Sequence, residues 1–119
     1  MSYDIQLFRR ETKEREQKSD DEAFFDHKAN LEPFTKLQYG ELKQRLLDYG
    51  YVIQSETGHN ITFTHSQYSI DALLTDRGLY FTTSFNEEDI FEAGMTASEF
   101  TDTEDFVKYD PQYNGWEEI

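Results

Sequence analysis

Residues 51–85 read YVIQSETGHNITFTHSQYSIDALLTDRGLYFTTSF. Apolar side chains return at every second position in this stretch, the period at which a pleated strand turns successive residues to opposite faces. The pattern predicts four strands, over 51–56, 61–65, 68–75 and 79–85, divided by Thr57-Gly58-His59-Asn60, Ser66-Gln67 and Asp76-Arg77-Gly78. Links this short join antiparallel neighbours, so the expectation is a meander. Ile61, Phe63, Ile70, Ala72, Leu74, Leu79, Phe81 and Phe85 should then share one buried face, with Thr62, Thr64, Asp71 and Tyr80 on the other.

Upstream of the meander the period changes. Tyr39, Leu42, Leu46 and Tyr49 recur at helical spacing behind Thr35, which with Gln38 forms a capping box, and Gly50 stands where a left-handed C-terminal cap belongs. Phe34 is placed to pack on Tyr39 as a hydrophobic staple. Tyr3, Ile5 and Leu7 alternate with polar residues and predict a first strand ending near Phe8. Residues 9–22 contain no apolar side chain but carry opposite charges four apart, as in Arg10/Glu14, Glu11/Arg15 and Glu14/Lys18, which reads as a solvated helix or a mobile segment. Ser19 and Glu22 then fit a capping box for a short helix through Ala23, Phe24 and Phe25, ending before Pro33.

Downstream, Phe85 and Ile90 flank Asn86 as staple and N-cap of a helix that runs past Gly94 toward Phe100. Glu87, Glu88 and Asp89 in its first turn complement the helix dipole, which accounts for three clustered carboxylates without a cation site. A short last strand over 106–109 stops at the Asp110-Pro111 turn, and Trp116 is expected to fold back on the sheet, the alternative being an exposed Tyr and Trp interface anchor. The expected fold is α+β: a mainly antiparallel sheet of the N-terminal strand and the four-strand meander, with two or three helices packed on one face.

At 119 residues, with 36 % apolar and 16 % aromatic residues, the chain suits one domain spanning 1–119. With no cysteine it has no disulfide, thiolate metal site or cysteine nucleophile, and the composition fits a reducing, cytoplasmic setting. No apolar run exceeds three residues, so neither a signal peptide nor a membrane span is expected.

Few chemistries find their residues here. His27, His59 and His65 show no metal-motif spacing, and the glycines form no phosphate-binding loop or nucleophile elbow, so no metal and no cofactor is expected. The one acid–base arrangement to consider is His65 with Asp71 on the adjoining strand, which requires both side chains in one pocket.

Charge is the feature that stands out. The net charge is −14, and residues 46–119 hold two Lys/Arg against fifteen Asp/Glu. Glu87, Glu88, Asp89, Glu92, Glu99, Asp102, Glu104 and Asp105 are interrupted by no Lys or Arg. Such a surface repels nucleic acid and phospholipid and attracts basic protein, although acidity also serves plain solubility.

Ser2-Tyr3-Asp4-Ile5 at the start and Phe106-Val107-Lys108-Tyr109-Asp110-Pro111-Gln112 near the end resemble a broad group of small bacterial α+β proteins that open with a Ser-Tyr-Asp strand and close with a strand into Tyr-Asp-Pro-Gln. The resemblance covers about a tenth of the chain and implies a bacterial, accessory or immunity-like protein, with no catalytic residues. The resulting expectation is a non-enzymatic acidic module that captures a basic partner, as an immunity protein or inhibitor does; the alternatives are the His65/Asp71 enzyme and a nucleic-acid mimic.

Overall fold

The computed structural model describes residues 2–103, 105–112 and 115–117. Among these residues, seven strands form one antiparallel sheet in the order β2-β3-β4-β5-β1-β6-β7. They are β1 (Tyr3–Arg9), β2 (Tyr51–Thr57), β3 (Asn60–His65), β4 (Ile70–Leu74), β5 (Leu79–Thr83), β6 (Phe106–Asp110) and β7 (Gly115–Trp116). The helices are α1 (Arg10–Gln17), α2 (Lys36–Asp48) and α3 (Glu87–Glu99). The class is thus α+β with an antiparallel sheet, and the meander closes onto the N-terminal strand through β5.

The front face of the sheet carries the main core. Ile5, Leu7, Phe63, Ala72, Leu74, Leu79 and Phe81 are buried there together with Leu42 and Leu46 of α2 and Ala93 and Ala97 of α3. Both helices begin as their sequences dictate. The Thr35 side chain accepts from the Gln38 amide while the Gln38 side chain accepts from the Thr35 amide, and the Asn86 side chain accepts from the Glu88 amide. After α2, Gly50 has φ of +94°, a conformation that leaves the chain to turn directly into β2 at little steric cost only for glycine. Phe85, expected in this core, is instead 54 % exposed, because β5 ends at Thr83; its ring meets that of Tyr3 edge to face.

The short helix expected through Ala23, Phe24 and Phe25 is not formed. Residues 23–31 form no α-helix but two 3-10 turns, Phe24–Asp26 and Lys28–Asn30. They fold over the opposite side, where Phe24 and Leu31 are buried with Phe8, and Phe25, Tyr80, Tyr109 and Trp116 pack around them. Phe8 alternates with Leu7, so it points away from the main core, and the turns follow it. Their anchor is the β4–β5 turn: Arg77 donates to the carbonyls of Leu31 (2.7 Å) and Lys28 (3.1 Å), and the Phe34 amide donates to the Asp76 carbonyl. Gly78, expected only as a turn residue, has a second role, because a Cβ there would lie 2.7 Å from the Tyr80 hydroxyl and 3.0 Å from the Phe8 ring.

The charged segment after β1 is helical over α1. Arg15 pairs with Glu32 (2.7 Å) across the fold, and buried Thr12 accepts from the Glu32 amide. Near the chain ends, the Tyr3 hydroxyl donates to the Asp110 carboxylate and the Asp4 amide to the Gln112 side chain (2.6 Å). The two short motifs that open and close the chain therefore meet as a clasp holding β1 to the turn after β6.

Candidate functional site

The acidic run of α3 and its exit divides into groups with different surroundings. Glu87 and Glu88 are exposed in the first helical turn. Asp89 is not a surface carboxylate: it is 8 % exposed, accepting from the Ser69 amide (3.2 Å) and the Ser84 hydroxyl (2.8 Å). It braces the start of α3 against the ends of β4 and β5, which removes it from the expected partner-binding set. Glu92 is half-buried beside Tyr51.

At the other end of α3, α2 supplies cationic and phenolic partners that a linear reading of the run missed. Arg45 forms a two-pronged ion pair with Asp102 (2.9 and 3.3 Å), donates to the Glu99 carbonyl, and lies 4.6 Å over the Phe100 ring. The Tyr49 hydroxyl donates to the Glu99 carboxylate, a bond to the protonated phenol that raises its pKa, with burial adding to the effect. Asp105 is exposed, and Glu104 lies outside the described residues. Among the described residues, Glu87, Glu88 and Glu92 form no ion pair with Lys or Arg.

Between these carboxylates α3 exposes large apolar side chains. Phe91 is 68 % and Met95 45 % exposed, one turn apart on its outer side. With Gly94, Ser98, Glu99 and Lys108 they line an open groove of about 440 Å³ between α3 and β6. Lys108 is held at its floor, donating to the Gly94 carbonyl (3.2 Å), the Ser98 hydroxyl (3.1 Å) and the Glu117 carboxylate (3.1 Å). Helical spacing sets Glu88, Glu92 and Glu99 in a row along the flank of the Phe91–Met95 stripe. Phe91 and Met95 carried a signal that went unused: Ile90, Ala93, Ala97 and Phe100 form the inward-facing set at spacings of three and four, and these two fall outside it.

The structure does not bring His65 and Asp71 together. Asp71 stands opposite Thr64 in the register and accepts from its hydroxyl (3.0 Å), so it lies on the face away from His65. Both imidazole nitrogens are also committed to the backbone. Nδ1 accepts from the amides of Gln67 and Tyr68, leaving Nε2 to donate to the Tyr49 carbonyl (3.0 Å) while the ring packs between Tyr51 and Tyr68. His59 sits exposed in the β2–β3 turn, and His27 is exposed after the first 3-10 turn.

Trp116 folds back as expected. It packs on Tyr109, Phe25 and Phe8, and its indole N–H donates to Glu16 (2.9 Å). Among the described residues no group of three or more His, Asp or Glu side chains converges to hold a metal ion, and no helix is long and apolar enough to cross a membrane. Comparison with family models, with curated proteins and with solved structures returns no match to this chain.

Proposed function

We propose that the protein is a binding module rather than an enzyme, and that the outer side of α3 captures a basic protein partner in the manner of an immunity protein or inhibitor. The observation that carries this reading is the placement of Phe91 and Met95, exposed and one turn apart, beside the carboxylates of Glu88, Glu92 and Glu99. Exposed aromatic and Met side chains are the usual anchors of protein interfaces, and unpaired charge around them directs encounter and orientation. Solubility alone would account for the carboxylates but not for the apolar side chains among them.

A nucleic-acid mimic fits less well. It needs carboxylates repeated like backbone phosphates, about one per 1.7 Å of duplex axis. Here Asp89 is buried and Asp102 is neutralised by Arg45, so the row is broken at the start of a helix about 20 Å long and again just past its end. A cytoplasmic setting belongs to the same proposal, since the chain contains no cysteine.

The test is affinity capture from the native host at low and high salt, comparing wild type with the Glu87→Gln/Glu88→Gln/Glu92→Gln variant. The reading expects a basic protein retained by wild type at low salt and released both by salt and by the variant. Failure to retain any basic protein at low salt, or equal retention by the variant, contradicts it.

A further inference from the structure

Gly94 sits in the interior of α3 and lines the groove. A helix-interior glycine is destabilising relative to alanine, so its presence asks for a reason. The fold itself supplies none. Its φ is not positive, and a Cβ there would meet Lys108 Nζ at 3.6 Å and Ile5 Cδ1 at 3.8 Å, both ordinary van der Waals contacts. What the missing side chain does is deepen the groove beside Phe91 and Met95, above the fully hydrogen-bonded Lys108 ammonium.

Resting on the reading above, we infer that this groove receives one basic amphipathic helix of the partner, an apolar side chain seated over Gly94 between Phe91 and Met95 and a basic edge along Glu88, Glu92 and Glu99. Charge complementarity selects this occupant. One flank of the stripe is a row of carboxylates in which, among the described residues, Glu88 and Glu92 form no ion pair with Lys or Arg, so a helix lying in the groove meets negative charge along one edge. A second copy of this chain is disfavoured, because it would bring two surfaces of a −14 protein together.

The experiment uses the full chain and a labelled synthetic peptide of about four helical turns. The peptide carries Leu at spacings of three and four and Lys along one edge; a second peptide has the same composition in scrambled order. Fluorescence anisotropy at low salt reads affinity, and thermal melting reads the fold. The inference expects the ordered peptide to bind roughly tenfold more tightly than the scrambled one, and Phe91→Ser to weaken it by roughly tenfold with little change in melting temperature. Gly94→Ala should separate the two readouts, raising the melting temperature by a few degrees (~2–5 °C) while weakening the peptide. Equal binding of both peptides, or affinity unchanged by Phe91→Ser and Gly94→Ala while Glu88→Gln/Glu92→Gln lowers it, overturns the groove and leaves a purely electrostatic partner standing. Absence of binding by either peptide also overturns the groove, with the broader reading judged separately by the salt-dependent capture. Concentration-dependent dimerisation abolished by Phe91→Ser would assign the groove to a second copy and overturn the inference.

Discussion

The two faces of the sheet are covered by different means. On the front, Leu7, Phe63, Leu79 and Phe81 are almost wholly inaccessible, in one cluster with Leu42 and Leu46 of α2 and Ala93 and Ala97 of α3. On the reverse, the cluster is smaller and largely aromatic. Phe8, Phe24 and Leu31 are enclosed by half-buried rings meeting mostly edge to face, from Phe25, Tyr80, Tyr109 and Trp116. That cover stops at β5, and beyond it Val52 and Leu73 remain 50 % and 37 % exposed. The difference shows that one side of a sheet can be closed largely by aromatic area, with contacts drawn from remote parts of the chain.

The contrast is broken most directly by deleting one ring from each face. Phe81→Ala on the front opens a cavity under two helices and should cost about 4 kcal/mol, read by urea denaturation. Trp116→Ala on the reverse removes a partly exposed ring and its hydrogen bond to Glu16, and should cost about 2 kcal/mol while leaving α2 and α3 protected in hydrogen exchange. Equal costs would mean that the reverse cluster is as integral as the main core.

Asp89 sharpens the same comparison at the rim of the front face. Asp89→Ala should lose about 2 kcal/mol, because the Ser69 amide and Ser84 hydroxyl lose a charged acceptor, whereas Glu88→Ala should shift stability by only about 0.5 kcal/mol. A like effect at both positions in thermal melting would return Asp89 to the solvated surface.

The smallest effect is alkaline. Burial raises the phenol pKa of Tyr51 on the front, with the Glu92 charge adding to it, and of Tyr80 on the reverse, with Asp76 adding. The unfolded chain ionises these phenols near 10, so their contribution is complete below that pH and is lost as pH rises through the higher folded values. Tyr51 should dominate. Its hydroxyl is buried without a hydrogen bond of ordinary geometry, the approach of Thr96 offsetting little of the burial. Tyr51→Phe should therefore flatten the decline in stability above pH 10 and leave stability at pH 7 equal or slightly higher.

How much of this was legible follows from where the partners lie in the chain. The meander, both long helices and their caps rest on alternation, helical spacing and side chains within three residues of each other, all visible in 34–50, 51–83 and 86–100. The aromatic cluster joins positions 8, 24, 31, 80, 109 and 116, so no local period announces it, and the turns that carry Phe24 and Leu31 are too short to show one. The proposed binding surface was half legible. Its acids form an uninterrupted run, but the burial of Asp89 by Ser69 and Ser84 and the arrival of Arg45 at Asp102 are long-range events. Phe91 and Met95 were visible as residues out of phase with the inward face of α3, and their meaning emerges only once that face is known.

The measurement that tests the account most directly is the map of backbone amide shifts when the captured basic protein is titrated into the labelled chain at low salt. Perturbations are expected to concentrate on Glu87–Glu99 and across the groove at Lys108, suppressed by salt, with Phe8, Phe25 and Trp116 unmoved. Perturbations centred on the Tyr109–Trp116 aromatic cluster, with α3 unaffected, would contradict it and make the reverse face the interface.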